Sequence, residues 1–163
     1  MTAIVVMGVS AAGKTSVARE LSSHFGASWA DADHLHPASN VAKMAAGHPL
    51  NDEDRWPWLD IVGERLAADS DIVVACSALR RVYRDRLRAA RPDTLFLLLH
   101  AERSVLASRA ASRKDHFMPP SLLDSQLATL ETLERDERGV IIDVEPPLHV
   151  VVSEATEWIS QNA

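Results

Sequence analysis

The chain has 163 residues, a formal net charge of −6 and 47% hydrophobic residues, a length that suits one domain burying about two-thirds of its unfolded surface. The acidic balance argues against a nucleic-acid partner held on a basic surface, and no run approaches the ~18 apolar residues of a membrane span. A single cysteine, Cys76, excludes an internal disulfide and a cysteine-built metal site, which fits a reducing, cytoplasmic setting.

Ala3–Met7 is an apolar, β-branched run and predicts a first strand. It lacks a basic flank and stops at Gly8, so no signal peptide is expected. The strand leads into Gly8-Val9-Ser10-Ala11-Ala12-Gly13-Lys14-Thr15, which fits G-x-x-x-x-G-K-[ST], the phosphate-binding P-loop. Ser16 to Phe25 continue with Val17, Leu21 and Phe25 on one helical stripe. Strand, glycine loop and helix thus stand in the order a polyphosphate site needs. Gly8 and Gly13 let the backbone curl, and the helix points its positive end and free N–H groups at the phosphates. Lys14 adds a cation for the β- and γ-phosphates, and the Thr15 hydroxyl suits Mg²⁺.

A second, shorter strand over Ser28–Ala32 runs into Asp31-x-Asp33. Residues two apart on a strand share a face, so both carboxylates are expected to point into the site. One suits holding Mg²⁺ through water, the other orienting an attacking hydroxyl or accepting its proton. His34, His36 and His48 lack the patterned spacing of a zinc site, and His36 reads as a loop residue offering hydrogen bonds. Residues 35–57 look inserted, being polar with Pro and Gly. Within them Asn51 or Asp52 suits a helix N-cap, with Glu53 and Asp54 in the first turn. Arg55 has no dipole reason to stand there and is expected to clamp a substrate carboxylate.

Trp58, Ile61, Val62 and Leu66 form the next helical stripe, and Ile72–Cys76 the next strand. Cys76 occupies the position where many P-loop proteins carry a magnesium-site aspartate. It reads as a small buried hydrophobe, which shifts the metal's carboxylate to Asp31 and leaves Ser77 on the ligand side. Arg80, Arg81 and Arg84 open the following helix against its dipole, which suggests a nearby anion. Thr94–His100 and Val140–Asp143 complete the apolar strands. Between them Arg109 and Arg113 share a helix face, and residues 113–120 form a basic, proline-bearing segment suited to closing over a triphosphate. Leu123, Leu127 and Leu130 mark one more helix. Val151, Ala155, Trp158 and Ile159 mark another, favoured over a strand at Leu148–Val152. Unalternated apolar strands interleaved with helices predict an α/β fold with a parallel sheet covered on both faces.

These segments together resemble the gluconokinases, small P-loop kinases of a sugar acid. The likeness rests on Met7–Thr15, Asp31-Ala32-Asp33-His34-Leu35-His36-Pro37, Asn40 with Lys43-Met44, Gly47 to Arg55, Pro57-Trp58-Leu59, Cys76-Ser77-Ala78-Leu79, Tyr83-Arg84-Asp85 and His116-Phe117. The resemblance implies a nucleoside-kinase-like fold, with a parallel five-stranded sheet and a mobile lid at about residues 113–120, and a homodimer. It implies ATP and Mg²⁺ as cofactors and phosphorylation of D-gluconate at C6. Residues and resemblance together assign Lys14 and Asp33 to catalysis, and Gly8 to Ser16 with Arg109 and Arg113 to the nucleotide. They assign Asp33, His36, Arg55, Ser77, Arg81 and His116 to the acceptor, and Thr15 with Asp31 to the metal. The rival readings are a kinase of shikimate or of a nucleoside monophosphate, and a nucleotide-binding regulatory module with no acceptor.

Overall fold

A computed structural model describes residues 2–112 and 120–163. Five strands form one parallel sheet: β1 (Ala3–Met7), β2 (Ser28–Asp31), β3 (Ile72–Ala75), β4 (Leu95–His100) and β5 (Gly139–Asp143), in the spatial order β2-β3-β1-β4-β5. The helices are α1 (Lys14–Phe25), α2 (Ala38–Ala45), α3 (Asp52–Ala68), α4 (Arg81–Ala90), α5 (Arg103–Ser112), α6 (Pro120–Thr129) and α7 (Leu148–Asn162).

The strands carry apolar residues without alternation because both sheet faces are covered. Ile4, Val6, Val73, Leu95, Leu97 and Leu99 pack on one side with Val17 and Leu21 of α1, Leu106 of α5 and Val151, Ala155 and Ile159 of α7. Ala3, Val5, Met7, Ile72, Val74, Phe96 and Leu98 pack on the other with Trp58, Leu59, Val62 and Leu66 of α3 and Tyr83 and Leu87 of α4. The last segment is helical over Leu148–Asn162, as favoured. Its apolar residues recur at helical spacing and bury one stripe, which a strand at Leu148–Val152 would have split between two faces.

Two details differ from expectation. β2 ends at Asp31, and residues Ala32–Leu35 turn into a 3-10 helix. Helix α3 runs through Pro57. The proline falls in the second turn, where it removes one intrahelical bond. The helix start is held by a full capping box, in which Asn51 Oδ1 accepts from the Asp54 N–H at 2.9 Å and Asp54 Oδ2 accepts from the Asn51 N–H at 3.0 Å. β1 sits at the switch in strand order, and ligands of such sheets lie beyond the carboxyl ends there.

Candidate active site

The loop after β1 is shaped by its glycines. Gly8 has φ +139°, and a Cβ there would lie 2.6 Å from the Leu99 carbonyl oxygen. Gly13 is left-handed at φ +86° and is the N-cap of α1, with no side chain capping the helix. The first N–H groups of α1 therefore remain for an anion. Lys14 Nζ donates to the Gly8 and Val9 carbonyls at 3.0 and 3.1 Å, folded back across the loop. Gln126 of α6 clasps the same loop: its Oε1 accepts from the Ser10 N–H and its Nε2 donates to Ser10 Oγ, both at 2.9 Å.

Beside the loop lies a cavity of about 360 Å³, lined by Gly13, Ser16, Arg109, Glu145, Pro146 and others. Arg109 donates to the Glu145 carbonyl at 3.3 Å. A guanidinium facing a proline-rich wall next to a phosphate loop has the shape and chemistry of a slot for a planar base.

Across the loop, Thr15 Oγ1 lies 3.5 Å from Asp31 Oδ2. A hydroxyl and a carboxylate meeting there fit a hard cation, which takes oxygen ligands. Asp31 Oδ1 also accepts from the Asp33 N–H at 2.9 Å. The two aspartates are thus brought together by a capped turn. The expectation that they share one strand face is corrected, because the strand ends between them. Trp58 Nε1 donates to the Ala32 carbonyl at 2.7 Å and anchors this turn to α3.

The His36 ring stacks on Trp58, with centroids 4.3 Å apart and planes 14° apart. Its pKa is lowered, chiefly by burial, with Asp33 raising it and Arg55 lowering it further. Arg55 Nη1 contacts Tyr83 Oη at 3.2 Å and Asp52 Oδ1 at 3.5 Å, and its guanidinium lies 5.5 Å from the Tyr83 ring centre. Tyr83 Oη donates to Asp52, whose other oxygen accepts from Arg80 at 2.7 Å.

Cys76 is buried, and burial pushes its thiol up to about 12. It is no nucleophile at neutral pH. The same thiol feels the charges of Asp33, Lys14 and Asp31. Ser77 follows, and its carbonyl accepts from the Gly8 N–H at 3.3 Å, joining the β3 end to the phosphate loop.

The anion expected near the α4 arginines is supplied by the protein itself. Arg80 pairs with Asp52, Arg81 with Glu134 and Asp136, and Arg84 with Glu137. Arg81 is held through a bidentate pair to Asp136. Its side-chain bonds in the structure are to these carboxylates and to Asp85, whereas the acceptor candidates Asp33, His36 and Arg55 are tied to the turn after β2 and to α3. Arg84 and Glu137 have fully buried side chains, and the Arg84 guanidinium also donates to the Ala78 and Leu79 carbonyls. Ala78 takes a left-handed φ of 44°. The buried arginine thus holds the strained loop that carries Ser77.

Arg113, His116 and the expected lid at 113–120 lie outside the described residues, except Pro120 at the start of α6. No helix among the described residues is long and apolar enough to cross a membrane. The sequence placed Trp58 on an apolar stripe and both Trp58 and Tyr83 among the segments of the resemblance, but it gave no polar contact to either of them or to Gln126. A buried tyrosine or tryptophan needs a partner for its polar atom, and that requirement was the available signal for two of them. Nothing in the spacing marks Gln126.

The chain matches the shikimate kinase family over residues 10–156. It is 43% identical to a probable gluconokinase of Xenopus tropicalis, over 93% of this chain and 90% of that protein. It is 40% identical to the thermoresistant gluconokinase of Escherichia coli K12, over 96% and 93% of the two chains. The crystal structure of a gluconokinase from Sinorhizobium meliloti 1021 superposes with a TM-score of 0.92 at 48% identity, covering 98% of this chain and 92% of that one.

Proposed function

The chain belongs to the shikimate kinase family and, within it, to the gluconokinases, and from that premise we propose that it transfers the γ-phosphoryl of ATP to the C6 hydroxyl of D-gluconate. The products are 6-phospho-D-gluconate and ADP. The observation that supports the reading is the phosphate loop, with the α1 N-terminus uncapped, standing beside the Asp31–Asp33 turn through the 3.5 Å Thr15–Asp31 contact. Trp58 ties that turn to α3, the helix that carries Arg55. Gluconate offers a terminal hydroxyl at one end and a carboxylate at the other.

The α1 N-terminus and Lys14 bind the β- and γ-phosphates, and the base enters the slot beside Arg109. Thr15 and Asp31 would hold Mg²⁺, which neutralises phosphate charge when bound. Asp33 orients the C6 hydroxyl and takes its proton as the oxygen–phosphorus bond forms and the bond to the ADP oxygen breaks. Arg55 pairs with the substrate carboxylate, and Ser77 and His36 contact its hydroxyls. Catalysis is positioning and charge stabilisation. The test is ADP release with and without gluconate, followed by phosphorus NMR of the product. Gluconate-dependent ADP and a phosphate on a primary carbon are expected. ADP release indifferent to gluconate, or a faster reaction with shikimate or a nucleoside monophosphate, would overturn the reading.

A further inference from the structure

Helix α2 has one buried residue, and it is polar: Asn40, 3% exposed. A buried amide is costly unless its hydrogen-bonding groups are matched. Here the match carries chemical information. Asn40 Nδ2 lies 2.9 Å from the Asp54 carbonyl oxygen and 3.2 Å from His36 Nδ1. A carbonyl oxygen only accepts, so the amide group facing Asp54 is the NH₂. Turning the amide over would set two acceptors against each other. The NH₂ has a second hydrogen, directed at His36 Nδ1, and that nitrogen must therefore be unprotonated. In a neutral imidazole the proton then sits on Nε2. The Trp58 stack fixes the ring plane. Asp54 is itself held by the capping box and by Lys43 of α2, so the amide is braced from both helices.

We propose that Asn40 is a positioning residue that locks His36 as the neutral Nε2–H tautomer, making it a hydrogen-bond donor to an acceptor hydroxyl and denying it the role of base. The assignment of that hydroxyl to gluconate rests on the proposed function; the tautomer does not. A donor engages a lone pair of a sugar-acid hydroxyl and leaves the proton of the reacting hydroxyl to Asp33. The groups facing the ring are Asp33 from its own turn, Asn40 from α2, and Trp58 and Arg55 from α3. The two charges have opposite sign, and burial, the largest influence, favours the uncharged ring.

The direct test is nitrogen-15 NMR of the imidazole rings in the labelled wild-type protein at pH 7. The expected result is a protonated Nε2 and an unprotonated Nδ1 for His36. A protonated Nδ1, in either the other tautomer or the imidazolium, would overturn the proposal without any variant. The second arm is Asn40→Asp, whose carboxylate accepts from Nδ1–H and so reverses the tautomer or charges the ring. Its gluconate KM should rise about tenfold, the order of one lost hydrogen bond, while the ATP KM stays within twofold. An unchanged gluconate KM, or an equal rise in both constants, would contradict the positioning role. If the wild type fails to turn over gluconate, the functional reading fails alone, and the tautomer spectrum still decides the proposal.

Discussion

Around the phosphate loop the decisive groups are main chain: the α1 N–H groups left uncapped by Gly13, and a Gly8 that no side chain can replace without meeting Leu99. Around Asp33 and Arg55 they are side chains, several of them set by partners on other elements. Trp58 reaches Ala32, Tyr83 reaches Asp52, and Asn40 reaches Asp54 and His36. On the proposed function the difference follows from the ligands. A polyphosphate is recognised by charge and N–H groups, which any backbone supplies if it can curl. A polyol with a carboxylate presents several polar groups in a fixed pattern and needs directional side chains. Such side chains are precise only when further bonds fix them. The two halves should therefore fail separately.

The largest break is expected in the phosphate half. Lys14→Ala removes the cation that follows charge from the β- to the γ-phosphate, and kcat should fall ~10³–10⁵-fold, the scale of a lost transition-state cation. Near-normal turnover in single-turnover assays would undo the assignment of this loop. Asp33→Asn comes next. It keeps size but cannot take the proton, so kcat should fall ~10²–10⁴-fold with ATP affinity nearly unchanged by calorimetry. A loss of ATP affinity alone would place Asp33 on the wrong side of the comparison.

A third break strikes the support of the acceptor half and concerns stability. Glu137→Gln leaves the Arg84 guanidinium buried without its counter-charge, at a cost of ~3–5 kcal/mol, read as a lower urea midpoint. Burial pushes the Glu137 carboxyl up, but the Arg84, Arg88 and Glu134 N–H bonds outweigh it and hold it well below the ordinary range. Its folded pKa lies below its unfolded one, so its stabilisation is complete above the ordinary glutamate range. That stabilisation is lost as pH falls through the depressed value. Wild-type stability should show this acid limb, and Glu137→Gln should lack it. Identical acid limbs in the two proteins would show that the pair does not govern the transition.

The same division explains what could be read in advance. The phosphate loop was legible because its residues are contiguous and its glycine spacing encodes a backbone shape. The sheet was legible because strands covered on both faces leave unbroken apolar runs. Asp31 and Asp33 do stand together, but not on a shared strand face. The strand ends between them, and the Asp31 side chain itself makes the turn. Arg80, Arg81 and Arg84, at the start of α4, carried a true signal of a nearby anion, yet spacing in sequence cannot tell a substrate from Asp52, Asp136 or Glu137. The polar contacts of Tyr83 and Gln126 stayed silent because they reach 31 and 116 residues away in sequence.

The smallest expected effect is the most direct test of the central claim, that the side-chain half reads a sugar acid through its carboxylate. Initial rates against gluconate, glucose and sorbitol are measured for wild type and Arg55→Ala. A charge-assisted bond to arginine is worth roughly 1.5–3 kcal/mol, or about one to two decades. The account predicts that Arg55→Ala raises the gluconate KM by that factor, leaves the ATP KM nearly unchanged and narrows the gap between gluconate and the neutral polyols. Equal losses on all three acceptors, or a wild type as active on glucose as on gluconate, would contradict it.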